Sequence, residues 1–357
     1  MRAASSRIAI AASILAWAPA LAAASSTQLG LSATLGSEHD SNARREVSAG
    51  EVVQDGLVRS SLGADLRFAE GPHRLGATAT VGAKVFATER AENTGAALFN
   101  ASYQLRLLRD LAAGVDLHAR ARRLVDGDRD YQTAALNAAL TYSGLGPLFL
   151  EARVGPRGFR YEPNPQFSNA GLGGGLVGRL RISGREQLVL GYDIDGRYFP
   201  DSPVLLSLEG DDLGEFAPDP ERRADLRHAV TLSAATARRL FCSVSYTLVY
   251  NQSQSLGETY LRHRAQLLAG THLPLELFAS VTAGLQITQY PDGLAISQRL
   301  LLEDSDESQN KLVLTLRRPI TERLAIEGRV GLFSNELSDS GLSFARATTY
   351  IGFSYRS

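Results

Sequence analysis

Apolar and polar side chains alternate along most of this chain. Between 279 and 288, apolar residues occupy every second position, and Ser, Thr, Gly and Gln fill the positions between them. Successive side chains of a β-strand point to opposite faces, so this segment has one apolar face and one polar face. The pattern recurs about 16 times, which is typical of a transmembrane β-barrel.

The alternating segments have the length that a membrane-crossing strand needs. Most span roughly 10–15 residues, and a tilted transmembrane strand requires about 9–11. The predicted strands are 28–35, 58–68, 75–85, 97–108, 111–124, 131–142, 147–161, 170–182, 187–199, 227–236, 240–251, 260–272, 275–290, 310–318, 323–334 and 344–356.

The connections between these segments alternate between tight turns and longer polar loops. Tight turns are predicted at Gly71-Pro72, Arg109-Asp110, Ser143-Gly144, Ser183-Gly184, Arg238-Arg239, Leu273-Pro274 and Pro319-Ile320. Longer loops are predicted at 37–56, 87–96, 125–130, 162–169, 200–226, 252–259, 291–309 and 335–342. Strict alternation requires an even number of strands and places both chain termini on the same side of the membrane, the side of the tight turns. We therefore predict an all-β, antiparallel up-and-down transmembrane barrel of about 16 strands, within a range of about 14–18.

Two apolar runs fall inside predicted loops, at Val204 to Leu208 and at Leu300 to Leu302. Each is either an additional strand or an extension of a loop. The pattern alone leaves both alternatives open.

The first residues have the pattern of a secretory signal peptide. Arg2 and Arg7 precede an apolar stretch over 8–17, and small residues follow at 20–24. The apolar stretch is too short for a comfortable membrane-spanning helix. We therefore expect a signal peptide at 1–24 and a single barrel domain at 25–357, with Cys242 acting as a small hydrophobic residue on an apolar strand face.

A soluble β-sandwich is the main structural alternative, because its strands also alternate. Two features favour a membrane barrel: the polar face carries Gly, Ser, Thr, Asn and charges in nearly every strand, and aromatic residues lie near strand ends. In a barrel these aromatics would form girdles at the lipid headgroups. The aromatics concerned are Phe86, Tyr103, Tyr142, Tyr161, Phe199, Tyr250 and Tyr290.

Two short motifs resemble those of Gram-negative outer-membrane β-barrel proteins of the porin-like kind. One is the stretch Ser37 to Asn42 at the end of the first strand. The other is the aromatic-alternating final strand, Thr349 to Tyr355, which looks like the signal read by the outer-membrane insertion machinery, although Arg356 and Ser357 follow it. The resemblance implies an outer-membrane protein inserted by that machinery. The alternating loop lengths then predict periplasmic termini, and we expect membrane lipid and lipopolysaccharide as further partners. The resemblance implies no particular substrate.

Charged residues within the strands fall on the polar face, as expected when a charge facing lipid near the midplane costs about 2–4 kcal/mol. They either give an electropositive lumen that attracts anions, or pair with one another and brace the wall. The candidate lumen-lining residues are Arg59, Asp65, Arg67, Arg106, Asp116, Arg120, Arg122, Glu151, Arg153, Arg179, Arg181, Asp193, Asp195, Arg197, Arg262, Arg264, Glu327 and Arg329.

Two of the predicted loops, 200–226 and 291–309, are rich in carboxylates. Hard cations such as calcium bind clustered carboxylates, but the ordered spacing of a known calcium loop is absent. Solvated outer loops or divalent-bridged lipopolysaccharide contacts are the preferred interpretation. Either loop could instead fold inward and narrow the pore.

An enzymatic function is not expected. Asp116 and His118 share a strand face, but no G-x-S-x-G turn and no metal-spaced histidine pair accompanies them. A net charge of −1 gives no electrostatic basis for nucleic-acid binding. We also expect no cofactor and no metal site.

About 16 strands leave an aqueous interior, so a charged channel for passive transport of polar or anionic solutes is the predicted function. The alternative is a barrel for export or assembly of a surface polysaccharide, which would need periplasmic export partners. A plugged barrel that acts as an adhesin or assembly factor is a third class.

Overall fold

The computed structural model describes residues 27–45, 52–127, 129–207, 216–291, 310–334 and 345–357. Sixteen strands form a closed barrel in which each strand pairs with its neighbours in sequence and the last pairs with the first. All of these pairs are antiparallel, so the predicted fold class is confirmed. The predicted signal peptide lies outside the described residues.

The strands differ in length mainly at the end that carries the longer loops. Their bounds are β1 Gln28–Asp40, β2 Asp55–Glu70, β3 His73–Phe86, β4 Thr94–Arg106, β5 Leu111–Leu124, β6 Tyr131–Leu145, β7 Leu148–Tyr161, β8 Asn169–Arg181, β9 Glu186–Ser207, β10 Phe216–Ala237, β11 Leu240–Ser253, β12 Tyr260–His272, β13 Phe278–Gln289, β14 Asn310–Pro319, β15 Leu324–Ser334 and β16 Ala345–Arg356. The described residues also form short 3-10 helices at Arg90–Glu92 and Pro165–Phe167.

The prediction of a loop over 200–226 is wrong. β9 continues to Ser207 and β10 begins at Phe216, so residues 204–207 of the apolar run extend a strand. Prolines hide this extension from a pattern-based prediction, because proline cannot donate to a ladder and is found at sheet edges or bulges. The register of β9 and β10 shifts between Asp219 and Ala224, on either side of Arg222. The other apolar run, 300–302, lies outside the described residues.

The β9–β10 extension rests on the neighbouring loop between β11 and β12. The Leu205 backbone N–H donates to Ser255 Oγ at 3.1 Å, and the Leu256 N–H donates to the Leu205 carbonyl at 2.9 Å. The extended ends of β9 and β10 are therefore paired with each other and also hydrogen-bonded to the loop between β11 and β12.

Other boundaries also differ from the prediction. The tight turn expected at Ser143-Gly144 lies three residues later, because β6 continues to Leu145 and Gly146 supplies the positive φ of 65° that the turn needs. The strand expected from 275 begins at Phe278, because Leu275 and Glu276 adopt positive φ values in the preceding turn. The loop expected over 37–56 is shorter, since β1 runs to Asp40 and β2 starts at Asp55.

The strand register assigns each residue to one of two faces that remain consistent around the barrel. The inner face is the set of positions in register with Gly36, Arg59 and Lys84. The outer face carries exposed apolar side chains along every strand, such as Leu62, Leu172, Leu176, Leu232 and Ile351, each more than half exposed. Charged side chains occur on the outer face of the described strands only toward strand ends, as at Glu70, Arg123, Arg160, Glu186 and Arg318.

The predicted aromatic girdle is correct for only part of its members. Tyr103, Tyr142 and Tyr250 lie on the outer face and are about two-fifths exposed. Phe86, Tyr161 and Phe199 are buried on the inner face, where each packs near the long-loop end of the barrel. The prediction fails for these three because it used only their position near strand ends, whereas the two-residue period places them in phase with the charged inner residues.

No helix among the described residues is long and apolar enough to cross a membrane.

Candidate functional site: the inner wall of the barrel

The register places every candidate lumen-lining residue on the inner face. These residues are distributed around the barrel, in β2, β4, β5, β7, β8, β9, β12 and β15. Some ion pairs on this face join strands that are two apart, as expected for the concave side of a curved sheet. Arg157 of β7, for example, pairs with Asp195 of β9 across β8.

Several inner charges were missed by the sequence analysis. Some lie in segments predicted as loops. Others, including Arg157 and Arg227, simply continue the two-residue period of a predicted strand and could have been found from it. The missed residues include Glu38, Asp40, Asp55, Arg74, Lys84, Arg157, Arg223, Asp225, Arg227, Lys311, Arg317, Arg346 and Arg356.

Asp195 is one of the most buried inner charges, with only 1% of the residue exposed. Arg227 donates to its Oδ2 at 2.9 Å, Arg157 pairs with its Oδ1, and Arg197 lies 3.9 Å from Oδ2. One carboxylate is thus surrounded by three guanidinium groups contributed by β7, β9 and β10. We call this group the Asp195 cluster.

Glycines of β8 make room for the Asp195 cluster. Gly171, Gly173 and Gly175 occupy successive inner positions of this strand. A Cβ at Gly173 would collide with the Arg157 guanidinium and the Asp195 carboxylate. Because these glycines have no side chains, side chains of β7 and β9 can contact each other across the inner surface of β8.

Similar pairs lie above and below the Asp195 cluster. Arg153 donates to Asp193 Oδ1 at 2.6 Å on the side nearer the short turns. Nearer the long loops, Arg223 forms a two-bond pair with Asp225 at 2.9 and 2.5 Å and lies 3.0 Å from Glu258. Its guanidinium also covers the Phe199 ring at 4.2 Å. In this part of the wall the charges brace neighbouring strands.

A second network joins the two strands that close the barrel. Arg346 of β16 donates from Nε to both oxygens of Asp40 in β1, at 2.9 and 2.8 Å. Arg59 donates to Glu38 at 2.9 Å, and Lys84 and Arg346 lie 4.0 and 3.9 Å from the same carboxylate. Asp40 is fully buried and Arg346 is 5% exposed. We call this group the seam network.

Another set of inner arginines has no carboxylate partner among the described residues. These side chains lie toward the short-turn end of β4, β8 and β14, and Arg181 rests on the Phe149 ring at 5.2 Å. The residues are Arg106, Arg179, Arg181 and Arg317. Both sequence interpretations therefore apply to different parts of the wall: many inner charges form bracing pairs, whereas these four arginines toward the short turns do not.

The inner face carries an excess of positive charge. Over the described strands, arginine and lysine outnumber aspartate and glutamate on this face by roughly two to one. Low-dielectric walls of one sign raise the local concentration of counter-ions. This wall is therefore electrostatically suited to anions.

The residues weighed for catalysis do not form a catalytic pair. His118 Nδ1 lies 2.9 Å from Asn100 Oδ1, and Asp116 faces Ser102 and Asn137 in register. Within the described ranges, no group of three or more His, Cys, Asp or Glu side chains is arranged to hold a metal ion.

Comparisons with known proteins identify the fold. No protein-family model and no curated protein sequence matches the chain. A high-pH structure of OprB from Pseudomonas putida is similar, with a TM-score of 0.53 and 10% identity over 93% of this chain and 94% of that one. OmpF from Salmonella typhi, in complex with daunomycin, is also similar, with a TM-score of 0.52 and 8% identity over 93% and 97% of the two chains. At these identities the likeness shows that the chain shares the closed barrel fold of these proteins.

Proposed function

We propose that this protein is an outer-membrane channel through which small polar solutes diffuse passively, with a preference for anions. The observation that carries the proposal is the contrast between the two faces: the outer wall is apolar and the inner wall is rich in arginine. The similar barrels OprB and OmpF are outer-membrane porins, which supports the general class.

The outer face supports the membrane location. Exposed Leu, Val, Ile and Tyr side chains cover the middle of the wall, where water would make their exposure unfavourable by about 25 cal/mol per Å². Both described chain ends lie at the short-turn end of the barrel, which in outer-membrane barrels faces the periplasm. We accordingly place the termini there and propose lipid, lipopolysaccharide and the insertion machinery as partners.

An arginine at position 176 is expected to destabilise the protein in a bilayer. Leu176 lies on the outer face near the middle of β8 and is 62% exposed, so Leu176→Arg should lower the free energy of unfolding by about 2–4 kcal/mol. Urea unfolding in phospholipid vesicles measures this. Val177→Arg is the matched control, because its inner position faces Glu151 in register and should cost much less. Equal losses in the two variants would contradict the assignment of the outer face to lipid.

The inner face supports the proposed passage of polar solutes and the preference for anions. A barrel of this size leaves a water-filled interior, and charged rings or rows along it select ions by sign. The arginines near the short turns, Arg179 and Arg181 among them, add positive charge at this end of the passage.

Planar-bilayer recordings test this function. We expect stable ohmic conductance and a reversal potential in a KCl gradient that indicates preference for chloride. The double variant Arg179→Glu/Arg181→Glu should reduce the chloride-to-potassium permeability ratio several-fold, because it reverses two inner charges. Arg318→Glu changes a charge of the same type on the outer face and should leave the ratio nearly unchanged. Potassium preference in the unmodified protein would overturn the anion assignment.

The same recordings separate the other function classes. An absence of conductance, together with loss of surface polysaccharide in a deletion strain, would favour export with periplasmic partners. An absence of conductance with normal polysaccharide would favour a plugged barrel.

A further inference from the structure

A cavity of about 380 Å³ opens in the inner wall where β1–β5 meet β15 and β16. Small and hydroxyl side chains form its floor: Thr34, Ser61, Gly82 and Ala96 are in register across four strands. Thr34 and Ser61 share a hydrogen bond of 2.6 Å. The volume lies in the range of small-molecule pockets, about 300–1,000 Å³.

Cations surround this floor. The basic side chains that line the cavity are Arg45, Arg59, Lys84, Arg120, Arg122, Arg329 and Arg346, whereas Asp40 and Glu92 are its lining carboxylates. Each of these carboxylates is already engaged by an arginine, Asp40 by Arg346 and Glu92 by Arg129. Among the described lining residues, cations therefore outnumber carboxylates by seven to two.

The arrangement concentrates like charges where a wall would ordinarily avoid them. Arg59 of β2 and Lys84 of β3 lie directly opposite each other in the strand register, and like charges in that position destabilise a sheet. Glu38 lies against both and offsets only part of this repulsion. Arg120 and Arg122 add two guanidinium groups at successive inner positions of β5.

Contacts with neighbouring side chains hold Arg120 and Arg346 in place. The Arg120 guanidinium lies over the Tyr131 ring at 5.6 Å, and Tyr131 is only 1% exposed. Arg346 is fixed by Asp40 on one side and covers the Phe333 ring at 5.5 Å on the other. Guanidinium groups fixed in this way are suited to donate two hydrogen bonds to a pair of oxygens of a phosphate or carboxylate group.

We propose that this cavity is a binding site for a compact multivalent anion that carries phosphate or carboxylate groups. This inference rests on the proposed channel function in one respect, namely that the anion reaches the site through the lumen. The site makes transport of such solutes saturable, because a solute that binds on the wall must leave before another follows.

Calorimetric titration of the folded, detergent-solubilised protein with inorganic pyrophosphate tests the site without requiring conductance. We expect one saturable site whose dissociation constant rises at least tenfold in the double variant Arg120→Gln/Arg122→Gln. The variant Ala96→Phe, which fills the floor without changing charge, should weaken binding to a similar extent. The control Arg179→Gln/Arg181→Gln removes the same charge from the inner wall away from the cavity and should change the constant less than threefold. Heat-modifiable migration on a gel verifies that each variant is folded.

The outcomes distinguish the site from the channel. Equal effects of the β5 and β8 double variants would overturn the site, since they would show a diffuse charge effect, and so would a lack of saturable pyrophosphate binding. Saturable binding that depends on Arg120, Arg122 and Ala96 would support the site even if bilayer recordings showed no anion preference. Citrate in place of pyrophosphate then decides between carboxylate and phosphate as the preferred group.

Discussion

Replacing Asp195 with asparagine is expected to lower the free energy of unfolding by about 3–5 kcal/mol. Asp195 is almost fully buried and balances Arg157, Arg197 and Arg227. The asparagine side chain has nearly the same shape, so the loss comes from three positive charges that remain close together without their shared carboxylate. Breaking a buried ion pair by removing one partner is costly for this reason.

Urea unfolding followed by circular dichroism in phospholipid vesicles gives the measurement, with the midpoint and slope fitted together. Asp65→Asn is the matched control. Asp65 lies 3.2 Å from Arg67, but these side chains are 41% and 72% exposed, so we expect a change of about 0–1 kcal/mol. A comparable loss in both variants would show that burial does not set the strength of these pairs.

Replacing Arg346 with glutamine is expected to weaken the closure of the barrel by about 3–5 kcal/mol. The change leaves Asp40 buried without its guanidinium partner and removes a cation 3.9 Å from Glu38. β1 and β16 lie at opposite ends of the chain, and the seam network joins their side chains directly. We therefore expect β1 to lose protection before the rest of the wall.

Hydrogen exchange of backbone amides measures this local effect. In Arg346→Gln, the amides of β1 should exchange faster than those of β7 and β8, and the compact form on a gel should be lost at a lower temperature. Arg356→Gln is the control, because Arg356 lies on the same inner face of β16 but is exposed near the short turn. Uniform acceleration across all strands would mean that Arg346 does not act at the seam.

Much of the wall was predictable from alternation alone. The period of two is a local property, so the assignment of Arg120 and Arg122 to one face follows from their spacing in β5. The tight turns and the even number of strands follow from local signals in the same way. Errors occur where a local signal is ambiguous, as at Ser143-Gly144 and in the proline-containing extension of β9 and β10.

Aromatic residues show a second kind of error. Tyr142 and Tyr161 have equivalent positions near strand ends in the sequence, yet one is 41% exposed on the outer face and the other is 5% exposed on the inner face. The two-residue period separates them, because Tyr142 is in phase with the apolar Leu140 and Tyr161 is in phase with the charged Arg153.

The sequence by itself determined that this chain forms strands with one apolar and one polar face, and which charged residues share the polar face, because side-chain direction along a strand depends only on neighbouring residues. The tertiary structure decided which charges meet. Arg157 and Asp195 are brought together by the register of β7, β8 and β9 and by the space over Gly173, and Arg346 reaches Asp40 only because the last strand closes on the first. These contacts depend on the stagger of strands far apart in sequence, and the stagger is fixed when the whole barrel closes.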